Sequence, residues 1–201
     1  KVHRGDNIEN LLKDADIVVH TANPAKRFFA EQNPEADFME SVEKTYRIKK
    51  MAKGKKFILI SSISARTQLN TVYGRNRRAC ELIVDDGQSL ILRLGPMFGE
   101  DKHIGPLHDI INNRPVFVSG KTKYAYVNVA YNGGKTLDLI DQAGLIELGA
   151  RNSIELDELK KVLGSSSSFT GSEDTQVPLG PQSDAPDARD VISFASTALK
   201  K

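Results

Sequence analysis

The sequence predicts an α/β protein built on a doubly wound parallel sheet. Three short runs, Ile17-Val18-Val19, Phe57-Ile58-Leu59-Ile60 and Leu90-Ile91-Leu92-Arg93-Leu94, are almost wholly apolar and have strand length. Segments with helical spacing of apolar residues lie between them. The resulting order is strand, helix, strand, helix, strand. Strands that are apolar throughout need cover on both faces, which points to a parallel sheet with helices on each side. Right-handed crossovers then make it doubly wound.

Each element has its own signal. Ile8, Leu11 and Leu12 stand at helical spacing before the first strand, and His20-Thr21-Ala22-Asn23-Pro24 closes that strand as a loop. Phe38, Val42, Thr45, Tyr46 and Ile48 form a stripe whose opposite face is rich in lysine and arginine. Phe57 to Ile60 is read as a second buried strand closing on Ser61-Ser62. Tyr73 to Val84 follows as a helix with Ala79, Leu82 and Ile83 as its inner face. The third strand, Leu90 to Leu94, runs into the loop Gly95-Pro96-Met97-Phe98-Gly99.

The second half is less regular. Val116-Phe117-Val118, Tyr124-Ala125-Tyr126-Val127 and Leu145-Ile146-Glu147-Leu148 are expected to be short strands, and Val129 to Ile140 a helix. Leu156 to Leu163 carries end signals: Asp157 and Glu158 at its start, Lys160 and Lys161 at its end, and Gly164 as its stop. Residues 165–186 are rich in Ser, Pro, Gly and Asp and read as a partly mobile loop. Asp187 to Leu199 is expected to close the chain as a helix.

Composition excludes several classes. Among 201 residues, 28 basic and 26 acidic side chains give a formal charge of +2, which provides no general attraction to nucleic acid or a membrane surface. No apolar run approaches a membrane span, and Lys1 to Asn7 has no apolar segment of the signal-peptide kind. One cysteine, Cys80, excludes a disulfide framework and reads as a small core residue. The expected compartment is the cytoplasm. His20 reads as a packed residue at a strand end. His3, His103 and His108 lack partners at ligand spacing, so no metal is expected. The lysines from Lys49 to Lys56 read as a solvated helix face and turn.

The chemistry concentrates in Tyr73-Gly74-Arg75-Asn76-Arg77-Arg78-Ala79-Cys80-Glu81. This segment resembles the tyrosine-centred helix of the extended short-chain dehydrogenases/reductases, the NAD-dependent epimerase/dehydratase family. There a Tyr is followed four residues later by Lys and often, after four more, by Glu. Further segments match in order. Gly5-Asp6 and Ala15 to Ala22 resemble the cofactor edge of the family's sheet, and Phe57 to Ser62 its strand ending in the catalytic Ser or Thr. Leu92 to Gly99 resembles the strand and loop beside the nicotinamide. Gly149, the helix after it and Pro186-Asp187-Ala188-Arg189 resemble the family's tail.

The resemblance implies a Rossmann-like domain over residues 1–98 with part of 116–150. Residues 99–115 and 151–201 would form a small C-terminal substrate-binding portion and tail. It implies NAD or NADP as cofactor and a small-molecule, sugar-like substrate, with homodimerisation through the Tyr73 helix as a family habit. In catalysis Tyr73 would be the acid/base, Ser62 would orient the substrate oxygen, and Arg77 would hold the tyrosine and the ribose. Cofactor contacts would come from Asp6, Thr21, Ala22, Asn23, Ser61, Tyr73, Arg77, Leu94, Gly95, Pro96 and Met97.

The physical logic agrees. A phenol titrating near ~10 is a poor acid or base at neutral pH, and a nearby cation favours its ionised form. An i to i+4 spacing places such a cation on the tyrosine's own helix face. A serine at a parallel strand's C-terminal end lies where open α/β sheets bind ligands.

The chain also departs from the pattern. Arg77 stands where the family has Lys, and a planar fork is not interchangeable with a compact ammonium. Ser62 and Tyr73 are closer in sequence than is usual, and Ser41 stands where a helix motif usually begins with Asn. No glycine-rich turn of the G-x-x-G-x-x-G kind is present. A first β-α-β unit of about 30 residues is therefore expected to be missing, leaving an exposed sheet edge. Two functions follow as expectations: an NAD(P)-dependent epimerase, dehydratase or reductase, or a non-catalytic nucleotide-binding or scaffold protein of the same fold.

Overall fold

The computed structural model describes residues 6–24 and 27–198. In chain order its elements are α1 (Ile8–Lys13), β1 (Ile17–His20), α2 (Arg27–Gln32), α3 (Pro34–Phe38), a π-helical turn (Met39–Glu43) and α4 (Lys44–Met51). Then come β2 (Lys56–Ser62), α5 (Ser64–Thr67), α6 (Val72–Val84), β3 (Leu90–Leu94), β4 (Met97–Phe98) and α7 (Pro106–Ile111). The remainder is β5 (Lys123–Tyr124), β6 (Val127–Asn128), α8 (Val129–Asp138), β7 (Gly144–Leu148), β8 (Ile154–Glu155), α9 (Leu156–Val162) and α10 (Asp190–Ala198). The chain divides into two units, Lys1–Arg93 with Leu139–Ile146, and Leu94–Asp138 with Glu147–Lys201.

The main sheet is parallel and has the order β1-β2-β3-β7, flanked by helices as the apolar strands require. Ile17 to His20 of β1 pair in parallel register with Lys56 to Leu59 of β2. Among the described residues β1 has one strand neighbour and stands at an edge of this sheet. Ile17 and Val19 are exposed there, as the expected exposed sheet edge implies, although the apolar run by itself reads as a buried strand. In the first unit Val42, Ile48, Ala52, Phe57, Leu59, Cys80, Val84 and Ile91 form the apolar core.

Two helix faces differ from the apolar pattern. The predicted stripe through Phe38 and Tyr46 is interrupted by the π-helical turn, whose wider winding rotates the residues that follow. The inner positions are Asp37, Ser41, Val42, Thr45 and Ile48, while Phe38 and Tyr46 are exposed. In α6 the predicted inner residue Leu82 is 61% exposed, and the buried stripe is Tyr73, Arg77, Cys80, Glu81 and Val84. These are spaced by three and four residues, so helical periodicity holds; its inner face simply includes two charged side chains.

In the second unit the core gathers Phe98, Ile110, Val116, Tyr124 to Val127, Leu156, Leu159 and Val191. β4 pairs in parallel with β6, and β5 antiparallel with β8. Val116 makes an isolated bridge to Phe169 in place of the predicted strand at 116–118. The segment 165–186 is well tied. Ser166 N–H donates to Asn113 Oδ1 at 2.8 Å, and Thr170 N–H to the Val116 carbonyl at 2.9 Å. Tyr124 Oη donates to Asp174 Oδ2 at 2.7 Å, and Leu179 N–H to Glu147 Oε2 at 2.8 Å. Its polar composition therefore reflects local bonding as well as solvent exposure.

No helix among the described residues is long and apolar enough to cross a membrane. The lysine-rich stretch makes local ties: Lys49 Nζ donates to Asp86 Oδ2 at 2.7 Å and to Ser89 Oγ at 2.7 Å, and Lys55 Nζ to the Ala15 carbonyl at 2.6 Å. Cys80 is a buried free thiol, and burial pushes it above the usual thiol range.

Candidate active site around Tyr73 and Arg77

Helix α6 begins where the chain turns back from the end of β2. Thr71 is its N-cap, accepting the Gly74 N–H at 3.0 Å, and Glu31 Oε1 accepts the Val72 N–H at 2.6 Å. Gly74 is demanded by packing. A Cβ there would lie 2.0 Å from the Gln68 carbonyl oxygen and 2.9 Å from that of Ser64. This close approach lets the short link through α5 bring α6 tightly against the end of β2, which accommodates the reduced spacing between Ser62 and Tyr73.

Tyr73 and Arg77 are both buried, and the Arg77 guanidinium carbon lies 5.1 Å from the centre of the Tyr73 ring. The i, i+4 relation thus places cation and phenol together, with the charge over the ring face. Arg77 is only 2% exposed, and its Nε and Nη2 have no hydrogen-bond partner. Those two N–H groups form the guanidinium edge that ordinarily grips two oxygens side by side. Among the described residues no hydrogen bond engages the Tyr73 hydroxyl.

The two serines at the end of β2 differ. Ser61 is buried and donates to Glu81 Oε1 at 2.7 Å, so its hydroxyl proton is already committed. Ser62 Oγ accepts the Ser64 N–H at 3.2 Å, and among the described residues its own proton has no acceptor. Glu81 also receives Arg93 Nε at 2.8 Å and Nη2 at 2.6 Å, with Arg78 Nη1 at 3.1 Å. Arg93 therefore has filled the same Nε/Nη2 edge that Arg77 leaves open.

Beside this stripe, His20 Nε2 lies 3.0 Å from Thr45 Oγ1, the packed strand-end histidine expected from sequence. Burial, with Lys44 and Arg77 nearby, lowers it from 6.5 to about 4, so it is neutral at ordinary pH. Asp37 is buried and unannounced by any sequence pattern. It accepts Asn76 Nδ2 at 2.8 Å, and its backbone carbonyl accepts Ser41 Oγ. Ser41, in the position usual for Asn, thus ties the π-helical turn back to α3.

The other expected site residues lie on other segments of the chain. Asp6 is exposed just before α1, and its neighbour Gly5 lies outside the described residues, as does His3. Thr21 and Ala22 are exposed after β1, whereas both amide atoms of Asn23 are buried without a partner. Leu94, Gly95, Pro96 and Met97 belong to the second unit. There Gly95 N–H donates to the Leu148 carbonyl at 2.8 Å, the Pro96 carbonyl accepts Val127 N–H at 3.1 Å, and Met97 opens β4. Among the described residues no group of three His, Cys, Asp or Glu side chains could hold a metal ion.

No family model and no curated protein matches the sequence. Solved structures do. UDP-N-acetylglucosamine 4-epimerase from Methanobrevibacter ruminantium M1, in complex with UDP-N-acetylmuramic acid, is similar with a TM-score of 0.78 and 18% identity, over 98% of this chain and 79% of that one. The NAD-dependent NDP-hexosamine 5,6-dehydratase TunA, of tunicamycin biosynthesis, is similar with a TM-score of 0.79 and 12% identity, over 96% and 79% of the two chains. The dTDP-4-dehydrorhamnose reductase of Bacillus anthracis, in complex with NADP, gives 0.76 and 13%, over 95% and 84%. The chain therefore has the Rossmann-type α/β fold of these epimerase, dehydratase and reductase structures.

Proposed function

We propose that this chain is an NAD(P)-dependent epimerase, dehydratase or reductase acting on a carbinol or ketone of a nucleotide-linked sugar. The observation that carries the reading is the Tyr73–Arg77 pair, a buried cation over a phenol with two adjacent N–H donors unfilled. Orphaned buried donors call for acceptor oxygens, and the hydroxyls of a cofactor ribose supply them. The buried, unpartnered amide of Asn23 fits the same need. The fold's relatives crystallised with NADP or with a UDP-sugar supply the ligand classes.

Arg77 and Asn23, with Thr21 and Ala22, would hold the dinucleotide. When bound, it would supply the hydride acceptor and donor. The chain's own residues do the proton work. Tyr73 takes or returns the proton of the reacting carbinol oxygen through its hydroxyl. Arg77 stacks over the Tyr73 ring and fixes its setting, and the Ser62 hydroxyl, whose proton has no acceptor among the described residues, orients the same substrate oxygen.

A second reading is favoured by Arg77 itself. A guanidinium placed over the ring, in place of an ammonium, suits a nucleotide-binding or scaffold protein that keeps the fold without turnover. Incubating the 201-residue chain with NAD⁺ or NADPH and UDP-sugars, and following reduced cofactor and product, tests the first reading. Turnover in the parent and its loss in a folded Tyr73→Phe chain are expected. Retained turnover in that variant contradicts the role given to Tyr73.

A further inference from the structure

Tyr73, Arg77 and Glu81 follow one another at four-residue steps along the buried stripe of α6. The first two belong to the proposed site; Glu81 has no role in it. Glu81 is nevertheless held from several directions. Ser61 Oγ at 2.7 Å and Arg93 Nε at 2.8 Å meet Oε1, while Arg93 Nη2 at 2.6 Å and Arg78 Nη1 at 3.1 Å meet Oε2.

Neutralising a buried carboxylate needs only a cation with good hydrogen bonds. These partners do more, because of where they stand. Ser61 adjoins Ser62 at the end of β2, and Arg93 is the last but one residue of β3. One side chain of α6 is thus bonded to two strands near their C-terminal ends, where sheets of this kind bind ligands. The Arg93 fork fixes direction as well as distance, and the Ser61 bond fixes the carboxylate along the edge of β2.

We propose that Glu81 is the positioning residue of the site: through Ser61 and Arg93 it sets the rotation and depth of α6, and so presents Tyr73 and Arg77 at the strand ends. The proposal rests on the reading of Tyr73 and Arg77 as site residues. Tyr73 lies eight residues, about 12 Å along the axis, from Glu81. A continuous helix carries a change of setting over that distance, and Gly74 seats its far end against the Gln68 carbonyl.

The test uses the full chain with ¹³C-labelled tyrosine rings. The five tyrosines are few enough to resolve, and Tyr73→Phe identifies the Tyr73 signal. Ser61→Ala removes one leg of the clamp while Arg93 stays on Glu81, so the buried charges remain paired. The expected result is a shifted Tyr73 signal at nearly unchanged Tm. The signals of Tyr124 and Tyr126 should stay in place, and Ser61→Thr should return Tyr73 towards its parent position. Where turnover is present, kcat should fall by up to about a hundredfold with KM little changed.

An unmoved Tyr73 signal in Ser61→Ala overturns the proposal, and so does a Ser61→Ala chain that fails to fold, since the contact would then hold the core and not the helix setting. Glu81→Gln, if folded, must move the same signal; if it does not fold, Ser61→Ala decides. A parent chain without turnover whose Tyr73 still moves in Ser61→Ala would remove the enzymatic reading and leave the positioning role standing.

Discussion

The Arg77 guanidinium lies over the face of the Tyr73 ring at 5.1 Å, one helical turn away, and the Nε/Nη2 edge of that guanidinium is buried and unfilled. Charge, ring and open donor edge therefore coincide on one stripe of α6. An ammonium at the same position would give a compact charge able to reach past the ring. A guanidinium gives a flat one that stacks on it.

Arg77→Lys follows directly. If the chain is an enzyme slowed by its arginine, the substitution should raise kcat, by about tenfold or more, as expected when a stronger charge–phenol interaction supports the transition state. Steady-state rates with the best UDP-sugar check this. An unchanged rate favours the scaffold reading.

Gly74→Ala should cost stability. Its methyl would lie 2.0 Å from the Gln68 carbonyl oxygen, a backbone atom that cannot swing aside. Overpacking of this kind costs about 1–3 kcal/mol, and backbone displacement takes it to the upper end. Urea unfolding of parent and variant measures the difference. A stable Gly74→Ala chain would show that the 68–71 turn is softer than its contacts imply.

His20 gives the fold a pH dependence with a definite sign. The folded chain keeps its ring neutral down to about 4, whereas an unfolded chain binds the proton near 6.5. Its contribution is therefore complete above about 6.5 and is lost as the pH falls towards 4. At about pH 5 the loss should be about 2 kcal/mol. Urea titrations at about pH 7 and pH 5 should show this drop in the parent and a smaller one in His20→Gln.

Glu81→Ala should be the most damaging of these changes. It leaves Arg93 as a buried charge without its carboxylate and frees Ser61. Breaking a buried pair in this way costs about 3–5 kcal/mol. A loss below about 1 kcal/mol, measured by thermal or urea unfolding, would mean that solvent reaches Arg93.

Much of this architecture is readable from residues alone. Phe57 to Ile60 and Leu90 to Leu94 are strands because β-branched and apolar side chains run without alternation, and the structure places them side by side in a parallel sheet. The Tyr73–Arg77 pair is readable because a four-residue step on a helix is a contact. The inner face of α6 is not. Leu82 is apolar and exposed, while Glu81 beside it is charged and buried, because Arg93 and Ser61 supply what water would have supplied. Burial of a charge depends on partners distant in sequence, and no local pattern announces them.

The same holds for the helix before β2. A π-helical turn at Met39–Glu43 shifts the register, so Phe38 and Tyr46 leave the face that a regular helix would give them. The bond that Asp37, just before the turn, accepts from Asn76 comes from a second helix, α6. Ser- and Pro-rich composition likewise suggested a loose 165–186 segment. The bonds to Asn113, Glu147 and Tyr124 that tie it come from residues 32 to 53 positions away.

Whether Arg77 and its neighbours hold a dinucleotide is decided by calorimetric titration of the 201-residue chain with NAD⁺ and NADPH. At least one of them should bind in the micromolar range, about tenfold or more weaker in Arg77→Gln, which removes the charge and its donor edge. A demonstrably folded chain that takes up neither nucleotide would contradict a dinucleotide site there.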